Sequence, residues 1–471
     1  MAKQKVSIGN EGIYDARTLG KPRMVVLGLQ HMFAMFGATV LVPVLTGLSV
    51  SATLLFAGLG TLLFHLITKG KVPAFLGSSF AFLGGYAAIT TWEELNTVTG
   101  EMEAVLHPQM LPYACVGVAC AGLVYLVLAG LFKAFGPHKV MRYFPPIVTG
   151  PIIICIGLIL ANSAINNCQS NWWIALLAIA VVVVLNIWGK GMLKIVPILM
   201  GVLISYVVAA ICGLVDFTSV GEAAWFGLPF DMKDTVFSIF GDANSVVYKG
   251  ETISRGSMII TSIITIMPIA LATIIEHIGD VCAISSTTEN NFIEDPGLHR
   301  TLMGDGIATT VAALFGAPAN TTYGENTGVL ALTRVYDPRV IRIAALFAIL
   351  FSFCPKFAAL ISAMPAATIG GVSLILYGMI SAVGVRNLVE NQVNFAKSRN
   401  VLICAIIMGL ALGINFSAAG AIAFNIGHIT ISLSGLAVAA IVGIALNAIL
   451  PGKDYTFGAN PEGDKAVNFK V

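Results

Sequence analysis

The chain consists of long apolar runs separated by short breaks that are rich in charge, proline or glycine. About 20 apolar residues suffice for a helix to cross the hydrocarbon core of a bilayer. Such runs recur along almost the whole chain and predict fourteen membrane spans, numbered here from 1 to 14. Their ranges are 24–46, 50–68, 73–91, 109–132, 144–161, 172–188, 192–214, 257–282, 300–316, 320–333, 340–361, 366–383, 400–415 and 430–450. The first run is too long for the apolar part of a cleavable signal and is expected to stay as span 1.

The basic residues test the number of spans, because cytoplasmic loops of membrane proteins collect Lys and Arg. With the N-terminus inside, only four of the 26 basic residues fall on the outer side, namely Lys233, Lys249, Arg255 and Lys356. A single miscounted span would invert every later loop. The distribution therefore favours fourteen spans with both termini cytoplasmic, although two compensating errors would leave it unchanged.

Composition excludes several classes of protein. Hydrophobic residues make up 57% of the chain and charged residues only 11%, with a net charge of +2. An ordinary soluble domain has roughly 25% charged residues. A soluble enzyme, a nucleic-acid-binding protein and a disordered scaffold are therefore excluded. The eight cysteines form no C-x-x-C pair, so we expect neither a disulfide framework nor a metal site.

Two spans predict an inverted repeat with a ligand site at its centre. Seven spans per half would insert the second half upside down relative to the first. Spans 3 and 10 are equivalent in that repeat, and each contains or overlaps a segment that is led by proline and interrupted by glycines, at 73–85 and 318–328. Because such segments form poor helices, and irregular backbone survives in a membrane only inside protein or a wet cavity, we predict that both spans are broken, meet each other and offer backbone groups to a ligand. The alternative is that the glycines only permit close helix packing.

Ionisable and amide side chains inside spans are candidate functional residues, because a charge at the bilayer centre costs about 2.5–3.5 kcal/mol. These candidates are Gln30, His31, Glu276, His277, Asp280, Asp305, Glu325 and Asn326. Glu276 and Asp280 share one helix face with Gly279, and their repulsion favours protonation of one of them, which could couple transport to a proton gradient. Glu325 is expected near the start of a half-helix, where the dipole favours a carboxylate or an anionic ligand. Its alternative role is a helix cap alone.

The remaining candidates have simpler interpretations. His277 is interpreted as a structural histidine bonded to a neighbouring carbonyl, and Asp305 as a solvated residue at the inner rim. His31 fits a functional or a structural role equally well. Phe80 and Tyr323 lie in the predicted breaks, where a flat ligand could stack on an aromatic ring.

Several blocks of the sequence resemble the nucleobase/ascorbate transporter family (nucleobase-cation symporter-2), and within it the bacterial uracil permeases. The stretch from Glu325 to Arg334 fits the family signature, in which an acidic or amide residue precedes Asn-x-Gly and a Thr-Arg pair closes the motif. The other blocks are 30–37, 76–82, 276–279, 295–300 and 321–326, and the similarity extends from about residue 22 to 450.

The resemblance implies an all-α polytopic membrane fold of two inverted seven-span repeats, with short β-strands in the breaks of spans 3 and 10. The implied core domain comprises spans 1–4 and 8–11, at 24–142 and 257–361. The implied gate domain comprises spans 5–7 and 12–14, at 143–214 and 362–451. An extracellular loop at 215–256 and cytoplasmic tails at 1–23 and 452–471 complete the chain.

The resemblance also implies roles for individual residues. Glu276 and Glu325 would bind the substrate, and Phe80 with the backbone of Tyr323 and Gly324 would line the base. A second set, His31, Asp280 and Asn326, would form the proton-coupling network. The implied activity is proton-coupled import of uracil across the cytoplasmic membrane by alternating access, with H⁺ rather than Na⁺ as the coupling ion, no cofactor, no nucleic-acid partner and a possible homodimer.

Two other functions stay open at this point. Asp280 stands where the close uracil permeases carry a histidine, and together with Asp305 it resembles the purine carriers of the family, so xanthine or another purine is an alternative substrate. An anion exchanger or channel on the same inverted-repeat architecture is the alternative from a different class. Glu325 argues against that class, because a carboxylate would repel an anionic ligand.

Overall fold

The computed structural model describes residues 12–95, 102–190, 193, 197–241, 244–417, 420–426, 429–453 and 455. Residues 1–11 and 456–471, most of the two predicted tails, lie outside the described residues. The described part is mostly helical. Its α-helices are α1 Lys21–Thr46, α2 Val50–Ile67, α3 Leu83–Thr90, α4 Leu111–Phe135, α5 Pro137–Met141, α6 Pro146–Gln169, α7 Trp172–Trp188, α8 Pro197–Ile211, α9 Thr218–Glu222, α10 Arg255–Ile266, α11 Ala270–Thr288, α12 Leu298–Leu314, α13 Gly324–Thr333, α14 Pro338–Ser352, α15 Pro355–Ser362, α16 Ala366–Glu390, α17 Ser398–Asn415 and α18 Gly435–Ile449.

Seven helical segments of the described chain are long and apolar enough to cross a membrane, and an eighth is formed if the bent pair α14 and α15 is taken as one span. The seven are Lys21–Thr46, Val50–Ile67, Pro108–Phe135, Pro146–Gln169, Arg255–Thr288, Ala366–Glu390 and Ser398–Asn415. Shorter apolar helices are Phe80–Thr90, Trp172–Trp188, Pro197–Ile211 and Gly435–Ile449. The protein is therefore a multi-pass membrane protein.

Four antiparallel strand pairs accompany the helices in the described residues. Three of them are hairpins: β2 Thr91–Leu95 with β3 Met102–Leu106, β4 Ser245–Tyr248 with β5 Glu251–Ser254, and β7 Ala421–Ile426 with β8 Ile429–Ser434. The fourth pair joins β1 Leu76–Ser78 to β6 Asn320–Thr322, from opposite halves of the chain.

Two predicted spans differ from the structure in their secondary structure. Within 340–361, α14 ends at Ser352 and α15 begins at Pro355 after a bend of 88°, because proline lacks the N–H that a continuous helix requires. Within 430–450, the first part is strand β8 and the helix begins only at Gly435. Residues 429–434 alternate apolar and polar side chains, a pattern typical of a strand.

The helices pack in two groups. The first group contains α1, α2, α4, α10, α11, α12 and α14, and the second contains α6, α7, α8, α16, α17 and α18. Inside each group glycines bring helices together. A Cβ at Gly122 of the first group or Gly370 of the second would lie under 3.0 Å from the facing backbone. The groups contact each other where α1 meets α8 and where α11 meets α6 and α18.

The segment predicted as the N-terminal tail is folded from residue 12 onward. Ile13 forms a parallel bridge with Val335, in the loop between α13 and α14. The Tyr14 hydroxyl donates to the Thr288 carbonyl at 2.9 Å, and the Ala16 N–H donates to Asp337 Oδ2 at 2.8 Å. Ile13, Ala16 and Leu19 are buried with Leu27, Val335 and Val340 in a small apolar cluster. The segment is thus a strap across one end of the first helix group.

Candidate functional site

The pairing of β1 with β6 forms the centre of the candidate site. Leu76 pairs with Thr322, Gly77 with Thr321 and Ser78 with Asn320, and all six residues are buried. The ladder continues at both ends, where Ser79 N–H donates to Ala319 O at 2.8 Å and Tyr323 N–H donates to Phe75 O at 3.1 Å. A short helix follows each strand, so one helix begins near each end of the ladder. The N–H groups in the first turn of a helix lack partners within that helix and suit a ligand acceptor.

The side chain of Tyr323 packs on the ladder, and its ring is not open for stacking with a ligand. Its side chain is 4% exposed, and its hydroxyl donates to Ser78 O at 2.9 Å. Gly77 faces the ring so closely that a Cβ there would lie under 3.0 Å from it. The prediction that the Tyr323 ring lies free for stacking therefore does not describe this structure, because the ring is packed on the opposing strand. Its neighbour Gly324 is exposed.

Helix α11 places two acids beside β6. The Thr322 hydroxyl donates to Asp280 Oδ2 at 2.7 Å, which ties the helix to the strand. Glu276, one helical turn before Asp280, is half-buried, and Gly279 between them is exposed. A Cβ at Gly279 would meet no atom within 4 Å. Asp280 is therefore held at the ladder, and Glu276 lies one turn earlier on the same helix.

His31 and Asn326 form a buried polar pair between α1 and α13. Asn326 Nδ2 lies 3.2 Å from His31 O and 3.1 Å from His31 Nδ1. Because the backbone oxygen can only accept, the amide nitrogen is the donor, and Nδ1 of a neutral His31 must accept as well. The imidazole proton then sits on Nε2, which is buried and has no hydrogen-bond partner among the described residues. The His31 Nε2–H group can therefore donate to a further acceptor, such as a ligand.

The interpretations of His277 and Asp305 are wrong. Asp305 is 0% exposed and is not solvated at a rim, and its Oδ2 lies 2.8 Å from His277 Nδ1. His277 is also fully buried, so its partner is a carboxylate rather than a backbone carbonyl. The pair joins α11 to α12 at the residue that follows Glu276 in the chain. Tyr125 of α4 and Phe64 of α2 present ring edges to His277 at centroid distances of 6.4 Å.

Phe80 links the ladder to the second helix group. Its ring is 8% exposed and meets the ring of Tyr377 on α16 edge-on, with centroids 5.5 Å apart. Gly378, next to Tyr377, is exposed, and a Cβ added there would meet no atom within 4 Å. Open positions therefore occur on both sides of the contact between the two groups, at Gly279 and Gly324 on one side and Gly378 on the other.

Glu325 lies in the first turn of α13, as its position after the break predicted. Its side chain lies outside the described residues. Two further residues of the site, Thr322 and Tyr377, were not singled out from the sequence, and the contact between Asp305 and His277 was not predicted. Thr322 could have been recognised from the sequence, because it is a hydroxyl residue inside the break. Tyr377 lies within an apolar run, and its sequence surroundings do not distinguish it from other packed aromatic residues.

Comparison with known proteins assigns the chain to a family of transporters. Residues 22–420 match the Xan_ur_permease model, described as a permease family. The chain is 40% identical over 450 residues to a uracil permease of Bacillus caldolyticus, covering 94% of each chain. It is 38% identical over 469 residues to a uracil permease of Bacillus subtilis, covering 96% of this chain and 97% of the other.

A solved structure from another family of transporters has a similar fold. The chain matches the murine Solute Carrier 26 family member A9 anion transporter with a TM-score of 0.60 at 10% sequence identity. The match covers 94% of this chain and 69% of the other. At this identity the likeness extends to the fold alone.

Proposed function

Because the chain belongs to the nucleobase/ascorbate transporter family and is therefore a permease rather than an enzyme, we propose that it imports uracil across the cytoplasmic membrane by proton-coupled alternating access. The proposal of uracil as the substrate rests on the 38–40% identity, over at least 94% of this chain, to two proteins that are named uracil permeases. The groups at the β1–β6 ladder would supply the chemistry of binding.

We propose that the chain crosses the membrane fourteen times as two inverted seven-span repeats, with both termini cytoplasmic. A described helix overlaps every one of the fourteen predicted spans, and spans 3 and 10 each combine a strand with a short helix. The first helix group would be the core domain and the second the gate domain, because their members match the predicted division of the spans. Alternating access would be a movement of one group against the other, with Phe80 and Tyr377 at their contact.

The groups at the ladder match the surface of uracil. The base is flat and neutral and carries two ring N–H donors and two carbonyl acceptors. Glu276 and Glu325 would accept from the ring N–H groups, and the first-turn N–H groups at Gly324 would donate to a carbonyl. Phe80 would contact the face of the ring. Tyr323 would contribute its backbone, while its side chain holds the ladder.

The proton-coupling network would consist of Asp280 and the His31–Asn326 pair. Asp280 lies one helical turn from Glu276, so a proton on one of these acids lowers their mutual repulsion. His31 and Asn326 connect α1 to the same short helix α13 that begins at Gly324. We propose H⁺ rather than Na⁺ as the coupling ion because titratable groups surround the ladder. A homodimer would fit α17, of which only 22% is buried within the chain.

The two alternative functions are not favoured. The relatives reported above are named uracil permeases, and the hydrogen bond from Thr322 gives Asp280 a structural role that needs no purine. An anion exchanger would have to place its ligand beside Glu276 and Asp280, which would repel it.

The test is uptake of radiolabelled uracil into proteoliposomes with an imposed pH gradient. Glu276→Ala and Glu325→Ala should each abolish uptake, because a lost acceptor leaves a ring N–H unpaired at a cost of about 1–3 kcal/mol or more. Glu289→Gln is the matched control, since Glu289 ends the same helix and is exposed. Full uptake by both alanine variants would refute the site.

Two further measurements test the substrate and the coupling ion separately. Unlabelled uracil should compete better than xanthine, whereas better competition by xanthine would identify a purine carrier. A protonophore should stop accumulation driven by the pH gradient. Accumulation that instead follows a sodium gradient would refute proton coupling while leaving the uracil assignment intact.

A further inference from the structure

A cavity lies at the end of α2, and none of its lining residues belongs to the β1–β6 ladder. Its volume is about 340 Å³, and it is lined by Leu62, His65, Leu66, Lys69, Gly70 and Arg342. It lies where α2 ends and α14 begins, so both helices of its wall belong to the first helix group. His65 is fixed in the wall by a bond of 2.9 Å between its Nε2 and Ala74 O.

The cations around this cavity fall into two classes. Arg300 donates to Ile67 O at 3.1 Å and so caps the end of α2, and Lys71 forms an ion pair with Asp295. Arg342 and Lys69, which line the cavity, have no acidic partner among the residues that the structure describes. Arg342 Nε is buried and makes no hydrogen bond there. A half-buried guanidinium without an acceptor is costly and suits an anionic ligand.

The turn after α2 is shaped to admit the guanidinium. Gly70 has a φ of +64°, and a Cβ on it would lie 2.7 Å from Arg342 Nη2. The backbone of the turn can therefore lie directly against the arginine only because residue 70 is glycine. Lys69, in the left-handed region at φ 58°, is exposed beside it. The two positive charges thus border one cavity.

We propose that this cavity binds the phosphate group of an anionic phospholipid. Arg342 would hold the phosphate oxygens through its guanidinium, which matches phosphate in planar, bidentate geometry, and Lys69 would add a second charge. Leu62 and Leu66 favour a lipid over free phosphate, because Leu66 is 76% exposed at the mouth of the cavity and can contact the lipid chain. Basic pockets between membrane helices bind anionic lipid headgroups in this way.

The test is native mass spectrometry of the full-length protein in neutral detergent, titrated with phosphatidylglycerol, phosphatidylcholine and inorganic phosphate. Wild-type protein should bind phosphatidylglycerol in preference to phosphatidylcholine. Arg342→Gln should weaken phosphatidylglycerol binding by about tenfold or more, as expected for a lost charged hydrogen bond. Lys69→Gln should weaken it less. Lys71→Gln is the matched control, because it removes the same charge from the same turn outside the cavity lining.

The outcomes distinguish the possible explanations. Unchanged binding in both Arg342→Gln and Lys69→Gln overturns the proposal, and so does an equal loss in Lys71→Gln, which would indicate general surface charge. Displacement of the lipid by inorganic phosphate at a similar concentration would assign the cavity to free phosphate and overturn the lipid assignment. If Arg342→Gln fails to elute as a single species, Lys69→Gln against Lys71→Gln still decides the outcome.

Discussion

Gly77→Ala should damage the candidate site although it adds only one methyl group. Gly77 lies in β1, opposite Thr321, and its φ is outside the left-handed region, so alanine can adopt the same backbone conformation. The new Cβ would lie under 3.0 Å from the Tyr323 ring and 2.8 Å from Thr39 Oγ1, where ordinary contact begins at 3.4 Å. The ring or the ladder must therefore move.

The magnitude follows from that overlap. Overpacking by a methyl group in a close-packed interior costs about 1–3 kcal/mol. Displacing Tyr323 also weakens its bond to Ser78 O, worth about 1 kcal/mol. Because Gly324 follows Tyr323 directly, a shift of the ring moves the start of α13. We expect a lower midpoint of thermal unfolding and a roughly tenfold loss of apparent affinity for uracil, since 1.4 kcal/mol corresponds to a factor of ten.

Uracil uptake and thermal unfolding of the purified protein measure both effects. Gly130→Ala is the matched control, because Gly130 is exposed on α4 outside the candidate site and an added Cβ there meets nothing within 4 Å. It should keep full uptake and equal or higher stability, as alanine favours a helix. Tyr323→Phe, which keeps the ring and loses the hydrogen bond, should fall between the two. Wild-type affinity in Gly77→Ala would refute the packing of Tyr323 on β1.

Three further outcomes are expected. Asp305→Ala should lower the free energy of unfolding by about 3–5 kcal/mol, because it leaves His277 buried without its partner, and Asp305→Asn should cost less, as seen by thermal unfolding. Asp280→Ala should lower the midpoint of thermal unfolding more than Asp280→Asn, because asparagine can still accept from the Thr322 hydroxyl, and equal decreases would contradict a tie to the strand. Asp15→Asn should lower the unfolding midpoint slightly and equally from pH 5 to 8. The side-chain hydrogen bond from Arg17 lowers the pKa of Asp15 to about 2, so the stabilisation from Asp15 is present above the unfolded value of 3.8 and is lost only as pH falls toward 2.

Local sequence could predict most of the helices and the position of the two breaks. Apolar runs locate helices because the length that a bilayer requires is a property of each run by itself. The breaks at 73–85 and 318–328 are also local, since Pro318 and the glycines weaken the helix wherever the segment lies. The spacing of Glu276 and Asp280 fixes a shared helix face in the same way, and the structure places that face beside β6.

Contacts between distant segments could not be predicted in this way. His277 carries no sign in its own surroundings that Asp305 on another helix will face it, and a neighbouring carbonyl was the partner expected from the sequence. The side chain of Tyr323 could have pointed to a ligand or to β1, and only the pairing of β1 with β6 decides between them. The strand at 429–434 was missed for a different reason. Its alternating pattern was present in the sequence, but the segment was assigned to an apolar run.

The glycines of the two breaks have different roles, which bears on whether they serve packing or a ligand. Gly77 and Gly85 are packing positions, since a Cβ at either would lie under 3.0 Å from a neighbouring side chain. Gly84 and Gly324 have open space instead, and both are exposed. If the glycines served helix packing alone, every one of them would face a close neighbour. Open glycines in short helices that begin at a buried strand pair instead leave backbone accessible at the point where the acids of α11 arrive, which is what binding of a small planar molecule requires.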